Sequence, residues 1–155
     1  RLRKRMEKEL AVESREKLNI KTGRGGIVDI EFLVQMLQLK YGGEYPVVRK
    51  QNTSDALAWL HEAGIIEEDD YTELADGLTF LRKMENLLRL LHDRSINELY
   101  EGDFEKLASE LDPGDGAKLK KKYTSTTGKI RKIYNRYFLG RAAEPEPAEK
   151  RRTSK

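Results

Sequence analysis

Apolar residues recur along this chain at three- and four-residue steps, the spacing that lines up one face of an α-helix. Leu2, Met6 and Leu10 fall four apart with charges between them, which predicts a first helix running to about residue 13 with a single buried stripe. Residues 27–39 are apolar nearly all round, interrupted only by Asp29, Glu31, Gln35 and Gln38. That pattern predicts the central and most buried helix, ended by Gly42 and Gly43. Asn52, Thr53 and Ser54 offer N-caps for a short helix through Ala63, with Gly64 placed to follow its end and Trp59 expected to pack inward. The longest helix is expected over about 67–92, where Tyr71, Leu74, Leu78, Leu81, Met84 or Glu85, Leu88 and Leu91 keep the helical rhythm. Phe104, Leu107 and Leu111 mark a short amphipathic helix closed by Asp112-Pro113-Gly114. A last helix over about 116–138 buries Tyr123, Ile130, Ile133 or Tyr134, and Tyr137.

Short connections between these segments favour antiparallel neighbours, so the fold class is all-α, a bundle of about six helices over residues 1–139. Residues 140–155 show no apolar periodicity and are expected to be a disordered tail. The chain begins without Met and inside a helical pattern, which leads us to expect a piece of something longer.

Composition narrows the chemistry. The chain has 155 residues, the length of one ordinary domain, and contains no cysteine. Disulfide frameworks, thiolate metal sites and cysteine nucleophiles are therefore excluded, and a reducing cytoplasm is the expected location. No apolar run approaches the roughly 20 residues that span a bilayer, so no membrane association is expected. Charged residues make up 37% and their net balance is +3, but the charge is segregated. Residues 62–76 hold seven acids and no Lys or Arg; residues 118–136 hold eight bases and no acid. Each run reads as a solvated helix face, and the basic one alternatively as a binding face for nucleic acid or an acidic protein.

The most unusual local feature is Lys21-Thr22-Gly23-Arg24-Gly25-Gly26, a glycine-rich loop feeding straight into the apolar helix at Ile27. Free amides at a helix start attract anions such as phosphate, and Lys21 and Arg24 would add full positive charges. The loop is neither a Walker loop nor a dinucleotide fingerprint, so a tight structural turn competes with a phosphate site. Asp29 and Glu31 lie two positions and about 200° apart on a helix, a poor pair of carboxylates. Asp29, in the first turn, reads as a cap or dipole partner, whereas Glu31 lies in apolar surroundings where a buried carboxylate needs a basic partner or a neighbouring domain. His92 and Asp93 are adjacent and cannot face each other, and His92 reads as a dipole partner at a helix end. With two histidines in the chain, neither spaced with carboxylates on one helix face, no metal site is expected.

The stretch Lys21-Thr-Gly-Arg-Gly-Gly-Ile-Val-Asp-Ile-Glu-Phe-Leu-Val-Gln35 closely resembles the segment that follows each nucleotidyltransferase domain in the glutamine synthetase adenylyltransferase/adenylyl-removing enzymes, relatives of the PII uridylyltransferases. Leu81-Arg-Lys-Met-Glu-Asn-Leu-Leu-Arg-Leu-Leu-His-Asp-Arg94, with Asn97-Glu-Leu after it, is similar to the same family, and the likeness extends over residues 1–138. Gly25-Gly26-Ile27-Val28-Asp29-Ile30-Glu31 resembles the second, adenylylating unit more than the first, which usually has Arg-Glu where this chain has Val28-Asp29. The resemblance implies the helical region of an enzyme that uses ATP and Mg2+ to attach AMP to a tyrosine of glutamine synthetase. The implied partners are an upstream nucleotidyltransferase domain, glutamine synthetase and the PII signalling protein. Lys21, Gly23, Arg24, Gly25, Gly26, Asp29 and Glu31 are then the candidates for a nucleotide-binding or domain-interface surface. The family's chemistry rests on an Asp-x-Asp metal site upstream, and no Asp-x-Asp occurs in this chain. By itself the chain is expected to bind no cofactor and to be inactive. A stand-alone basic module for nucleic acid or an acidic protein is the alternative. Bases not interleaved with exposed aromatics argue against single-strand stacking, so nucleic acid is the weaker partner.

Overall fold

The computed structural model describes residues 2, 3, 5, 17–93, 96–111 and 114–139. Most of the first expected helix, the Asp112-Pro113 turn and the tail over 140–155 lie outside the described residues; Leu2, Arg3 and Arg5 are helical. Among the described residues there follow strand β1 (Lys17–Asn19), helix α1 (Ile27–Tyr41), a 3-10 turn (Pro46–Val48), α2 (Thr53–Glu62), α3 (Glu68–His92), strand β2 (Glu98–Tyr100), α4 (Glu101–Ala108) and α5 (Gly116–Leu139). The all-α class holds, with five described helices and one addition. The connection between the first expected helix and the glycine-rich loop contains β1, which pairs antiparallel with β2 in the register Lys17 with Tyr100, Leu18 with Leu99 and Asn19 with Glu98. Three-residue strands are too short for an alternating pattern to show in a sequence.

Helix ends follow their local chemistry. The Asn52 side chain accepts hydrogen bonds from the Ser54 and Asp55 amides at the start of α2, and Gly64 follows its end at φ +75°. α3 ends instead on Asp93, which takes the left-handed conformation at φ 50° that Asp tolerates better than most side chains.

α5 is the spine against which α1, α3 and α4 pack, while α2 closes the far side against α1 and α3. Leu74, Leu78, Leu81, Met84 and Leu88 of α3 are fully buried, with Ile130, Ile133 and Tyr134 of α5 in the same core. Met84, not Glu85, therefore continues the stripe, and both Ile133 and Tyr134 are inside. The close approach of α3 and α5 is made at Gly77, where a Cβ would come to 2.9 Å from Ile130 Cδ1.

Three burial expectations are overturned. Trp59 is 41% exposed, its ring 5.8 Å from the Lys50 ammonium, because the inward positions of α2 are taken by Ala56, Leu57 and Leu60. Leu91 is also 41% exposed, one turn beyond the last buried step at Leu88. α1 is not enclosed all round: Gln35 and Leu39 face solvent.

The segregated charges meet in this packing. α3 and α5 run antiparallel, so the acidic start of α3 lies against the basic second half of α5. Arg136 clamps Asp70 with two hydrogen bonds of 2.9 and 3.0 Å, and Tyr137 donates to the same carboxylate at 3.1 Å. Lys129 reaches Glu73 at 3.5 Å, and the Lys122 ammonium sits 4.6 Å from the Phe80 ring.

Candidate functional site

The glycine-rich loop is built by its own backbone. The Asn19 side chain accepts from the amides of Lys21 (3.1 Å) and Thr22 (2.9 Å), and its carbonyl accepts from Gly23 (3.0 Å). The donors at the start of α1 are likewise used: Ile27 N–H donates to the Ile20 carbonyl, Val28 to Lys21 and Asp29 to Gly26. The amides of Lys21, Thr22, Gly23, Ile27, Val28 and Asp29 are thus committed to the turn. The full positive charges at this loop are those of Lys21, half-buried, and Arg24, exposed.

Glycine is required at Gly25. Its φ is +70°, and a Cβ there would collide with the Thr127 carbonyl of α5. The loop is therefore pressed backbone to backbone against the last helix. At Gly26 a Cβ would meet the Ile20 carbonyl at 2.6 Å. Gly23 is buried, and its carbonyl accepts from Arg3.

Asp29 is the centre of this arrangement and is fully buried. One oxygen pairs with the Arg3 guanidinium; the other accepts from the Gly25 amide at 2.5 Å and from Arg131 at 3.1 Å. Arg3 also donates to the carbonyls of Thr22 (2.7 Å) and Gly23 (2.8 Å). Arg3 and Arg131 are themselves 3% and 9% exposed. A carboxylate out of water needs such partners, and here they tie the N-terminal residues, the loop and α5 to one point. Asp29 does take up a backbone N–H as a cap would, but its charge is answered by two arginines 26 and 102 positions away. No local pattern in the sequence marks either pairing. The expectation for Glu31 is corrected: it is only half-buried, and among the described residues it has no ion pair. The periodicity assigned the buried carboxylate to the wrong residue, because the fully enclosed side of α1 carries Asp29 while Glu31 lies about 200° round the helix.

Beside the loop lies an open cleft of about 420 Å3 between Arg24 and α5, with Thr127, Arg131, Lys132 and Asn135 along its helical wall and Leu18 at its edge. Among the described residues no carboxylate lines it.

The histidines do different work. His92 Nε2 lies 3.1 Å from Asp103, whose other oxygen takes the Tyr100 amide, so this residue joins the end of α3 to the start of α4. His61 stacks on Tyr71 with ring centroids 4.6 Å apart. Among the described residues no group of three or more His, Cys, Asp or Glu could hold a metal ion, and no helix is long and apolar enough to cross a membrane.

The sequence model of the GlnD PII-uridylyltransferase family matches residues 1–138, nearly the whole described fold. The chain belongs to this family. Among its curated relatives is the bifunctional glutamine synthetase adenylyltransferase/adenylyl-removing enzyme of Shewanella frigidimarina (strain NCIMB 400), 35% identical over 119 residues. That similarity covers 76% of this chain but 12% of the relative, so the chain spans a small part of the length of the protein it matches. The family's name and the relative's name describe different nucleotidyl transfers, and the matched region includes the loop, Asp29 and both of its arginines when taken over residues 1–138.

Proposed function

We infer that this chain is the helical domain of an adenylyltransferase unit, one that transfers AMP from ATP to a tyrosine of glutamine synthetase. Its loop over residues 21–26 faces the nucleotidyltransferase domain and forms one wall of the nucleotide cleft. The observation that carries this reading is the 35% identity to the adenylyltransferase relative over 119 residues, which favours adenylyl over uridylyl transfer. The loop supports it physically. Its backbone is locked by Asn19 and by the Asp29 ion pairs, so Lys21 and Arg24 are presented from a rigid base, and preorganised cations lose little on meeting a phosphate chain.

Among the described residues no group of carboxylates is placed to hold Mg2+, and the metal-dependent step is assigned to the upstream domain. What it does is position: Asp29 holds Arg3 and Arg131, these hold the loop, and the loop holds its two cations.

The alternative of a nucleic-acid module loses its main support where the bases of α5 pair with acids of the other helices. Lys129, Arg131 and Arg136 answer Glu73, Asp29 and Asp70 within the domain, and Lys120 pairs with Glu101. The testing experiment is to give the longer protein that carries this chain labelled ATP or UTP, with glutamine synthetase or PII as acceptor. AMP label on glutamine synthetase is expected. Label from UTP on PII, with none from ATP on glutamine synthetase, would overturn the assignment.

A further inference from the structure

We propose that the apolar groove between the second half of α1 and the end of α5 is the docking site of an amphipathic helix from elsewhere in the longer polypeptide. It rests on the reading above for that longer polypeptide, but the groove stands on observations of its own.

α1 carries two apolar faces. Ile30, Leu33, Val34 and Leu37 fill the core. Phe32, Met36 and Leu39, at steps of four and three, form a second face that is open to solvent among the described residues. Leu39 is 88% exposed, more than any other large apolar side chain among the described residues. A single exposed leucine is ordinary, but this one is contiguous with further apolar side chains, and a contiguous patch marks a contact surface. α5 supplies the other wall. It runs beside α1 in the same direction, since Gly25 lies on Thr127 and Asp29 bonds to Arg131, and the same offset brings Tyr137 and Phe138 alongside Phe32 and Met36. These five side chains line a groove of about 670 Å3, with Gln35 and Lys40 as its polar margin. An apolar centre with a polar rim is the usual anatomy of an interface.

The aromatic wall is fixed in advance. The Tyr137 hydroxyl donates to Asp70 at 3.1 Å, and Arg136 clamps the same carboxylate. Phe138 stacks on the buried ring of Tyr134 with centroids 4.3 Å apart. Rings already held in place lose little freedom when a partner covers them, and aromatic anchors dominate binding energy at interface centres.

Shape, size and position select the occupant. A trough between two helices, with apolar residues at helical spacing, suits a third helix that lays its apolar face into it. Five side chains are far fewer than the roughly 20–30 residues a side that hold separate molecules together, which argues against a second copy. A helix of the same polypeptide needs less, because tethering raises its effective concentration to roughly millimolar. The similarity to the adenylyltransferase relative covers 12% of that protein, so a polypeptide of that length has ample chain to supply such a helix. The groove also begins roughly 10 Å and ends roughly 20 Å along α1 from the glycine-rich loop, which makes it a second contact, separate from the wall of the nucleotide cleft.

The test is oxidation of Met36 by hydrogen peroxide, read by peptide mass spectrometry in the 155-residue chain and in the longer protein, with fully buried Met84 as internal reference. The 155-residue chain serves as the uncovered state because its core draws on every described helix. Met36 should oxidise faster than Met84 in that chain and about tenfold more slowly in the longer protein, as for a contact closed about nine-tenths of the time. Leu39→Asp should leave the melting temperature of the 155-residue chain unchanged, yet return Met36 in the longer protein to the unprotected rate. Leu90→Asp, at a position 77% exposed on α3, should leave Met36 protected. Equal Met36 rates in the two proteins would overturn the proposal, as would protection that survives Leu39→Asp or is lost equally in Leu90→Asp. Protection that grows with the concentration of the 155-residue chain, together with a doubled mass in sedimentation, would overturn it in favour of a second copy. The nucleotide reading fails separately: UTP label on PII with Met36 protected would leave the docking site standing, whereas AMP label on glutamine synthetase with Met36 unprotected would remove the docking site alone.

Discussion

Asp29 shows how one residue can hold a loop, a helix and a chain terminus together. Its carboxylate is fully buried and faces Arg3, Arg131 and the Gly25 amide. Replacing it with Asn keeps the shape but removes the charge that both buried arginines contact. Breaking buried pairs from one side typically destabilises by about 3–5 kcal/mol. Asp29→Asn should therefore lower the urea midpoint by that equivalent, and a change below about 1 kcal/mol would mean the cluster is not structural. Gly25→Ala acts on the same contact from the other side. The positive φ alone costs about 1–3 kcal/mol, and the collision with Thr127 adds to it, so the variant should melt well below the parent while Gly43→Ala, where a Cβ meets nothing within 4 Å, should not. At this scale the sequence was only half legible. The glycines and the acidic first turn were plain in the chain, and they located the loop; the arginine partners were not, because ion pairs across 26 and 102 positions leave no periodic trace.

The packing of α3 on α5 explains what each helix could not show alone. Read separately, one carries a run of acids and the other a run of bases; antiparallel packing sets Asp70 against Arg136 and Glu73 against Lys129. Apolar spacing was enough to find both helices and nearly all of their buried residues, since a stripe repeats every turn and tolerates one wrong position. Trp59 and Leu91 were misplaced because the same rhythm does not say where a buried face ends. The strands β1 and β2 escaped because three residues carry no rhythm.

The α3–α5 contact also makes a prediction about pH. Burial first, then the Asp70 carboxylate, hold the Tyr137 phenol above its ordinary value near 10. The unfolded chain then ionises Tyr137 before the folded one does. Its contribution to stability is fully present below about pH 10 and is lost as pH rises from there toward the folded value. Stability should fall above pH 10, and Tyr137→Phe should flatten that part of the curve. A Tyr137→Phe profile identical to the parent's between pH 9 and the alkaline limit of folding would contradict the burial of this hydroxyl.

At the scale of the whole molecule, the family model matches residues 1–138, and the similarity to the adenylyltransferase relative covers 12% of that much longer protein. The resemblance was readable from residues 21–35 because a loop that must approach another backbone at Gly25 and bury a charge at Asp29 leaves few choices of residue. The cleft was not readable, since Lys132 has nothing in its neighbourhood to distinguish it from the other bases of α5. The chain alone should transfer no AMP to glutamine synthetase, and metal-dependent labelling by the purified chain would refute that expectation.

The most direct test of the nucleotide-cleft assignment is steady-state kinetics of the longer enzyme carrying Lys21→Ala and Arg24→Ala together. Neither side chain is fully buried and neither is part of the Asp29 cluster, so stability should change by no more than about 0.5 kcal/mol each. If the loop walls the nucleotide cleft, turnover or ATP affinity should fall more than tenfold, about 1.4 kcal/mol of lost stabilisation, at an unchanged melting temperature. Wild-type kinetics in the double variant would contradict the assignment and leave the loop as the turn into α1.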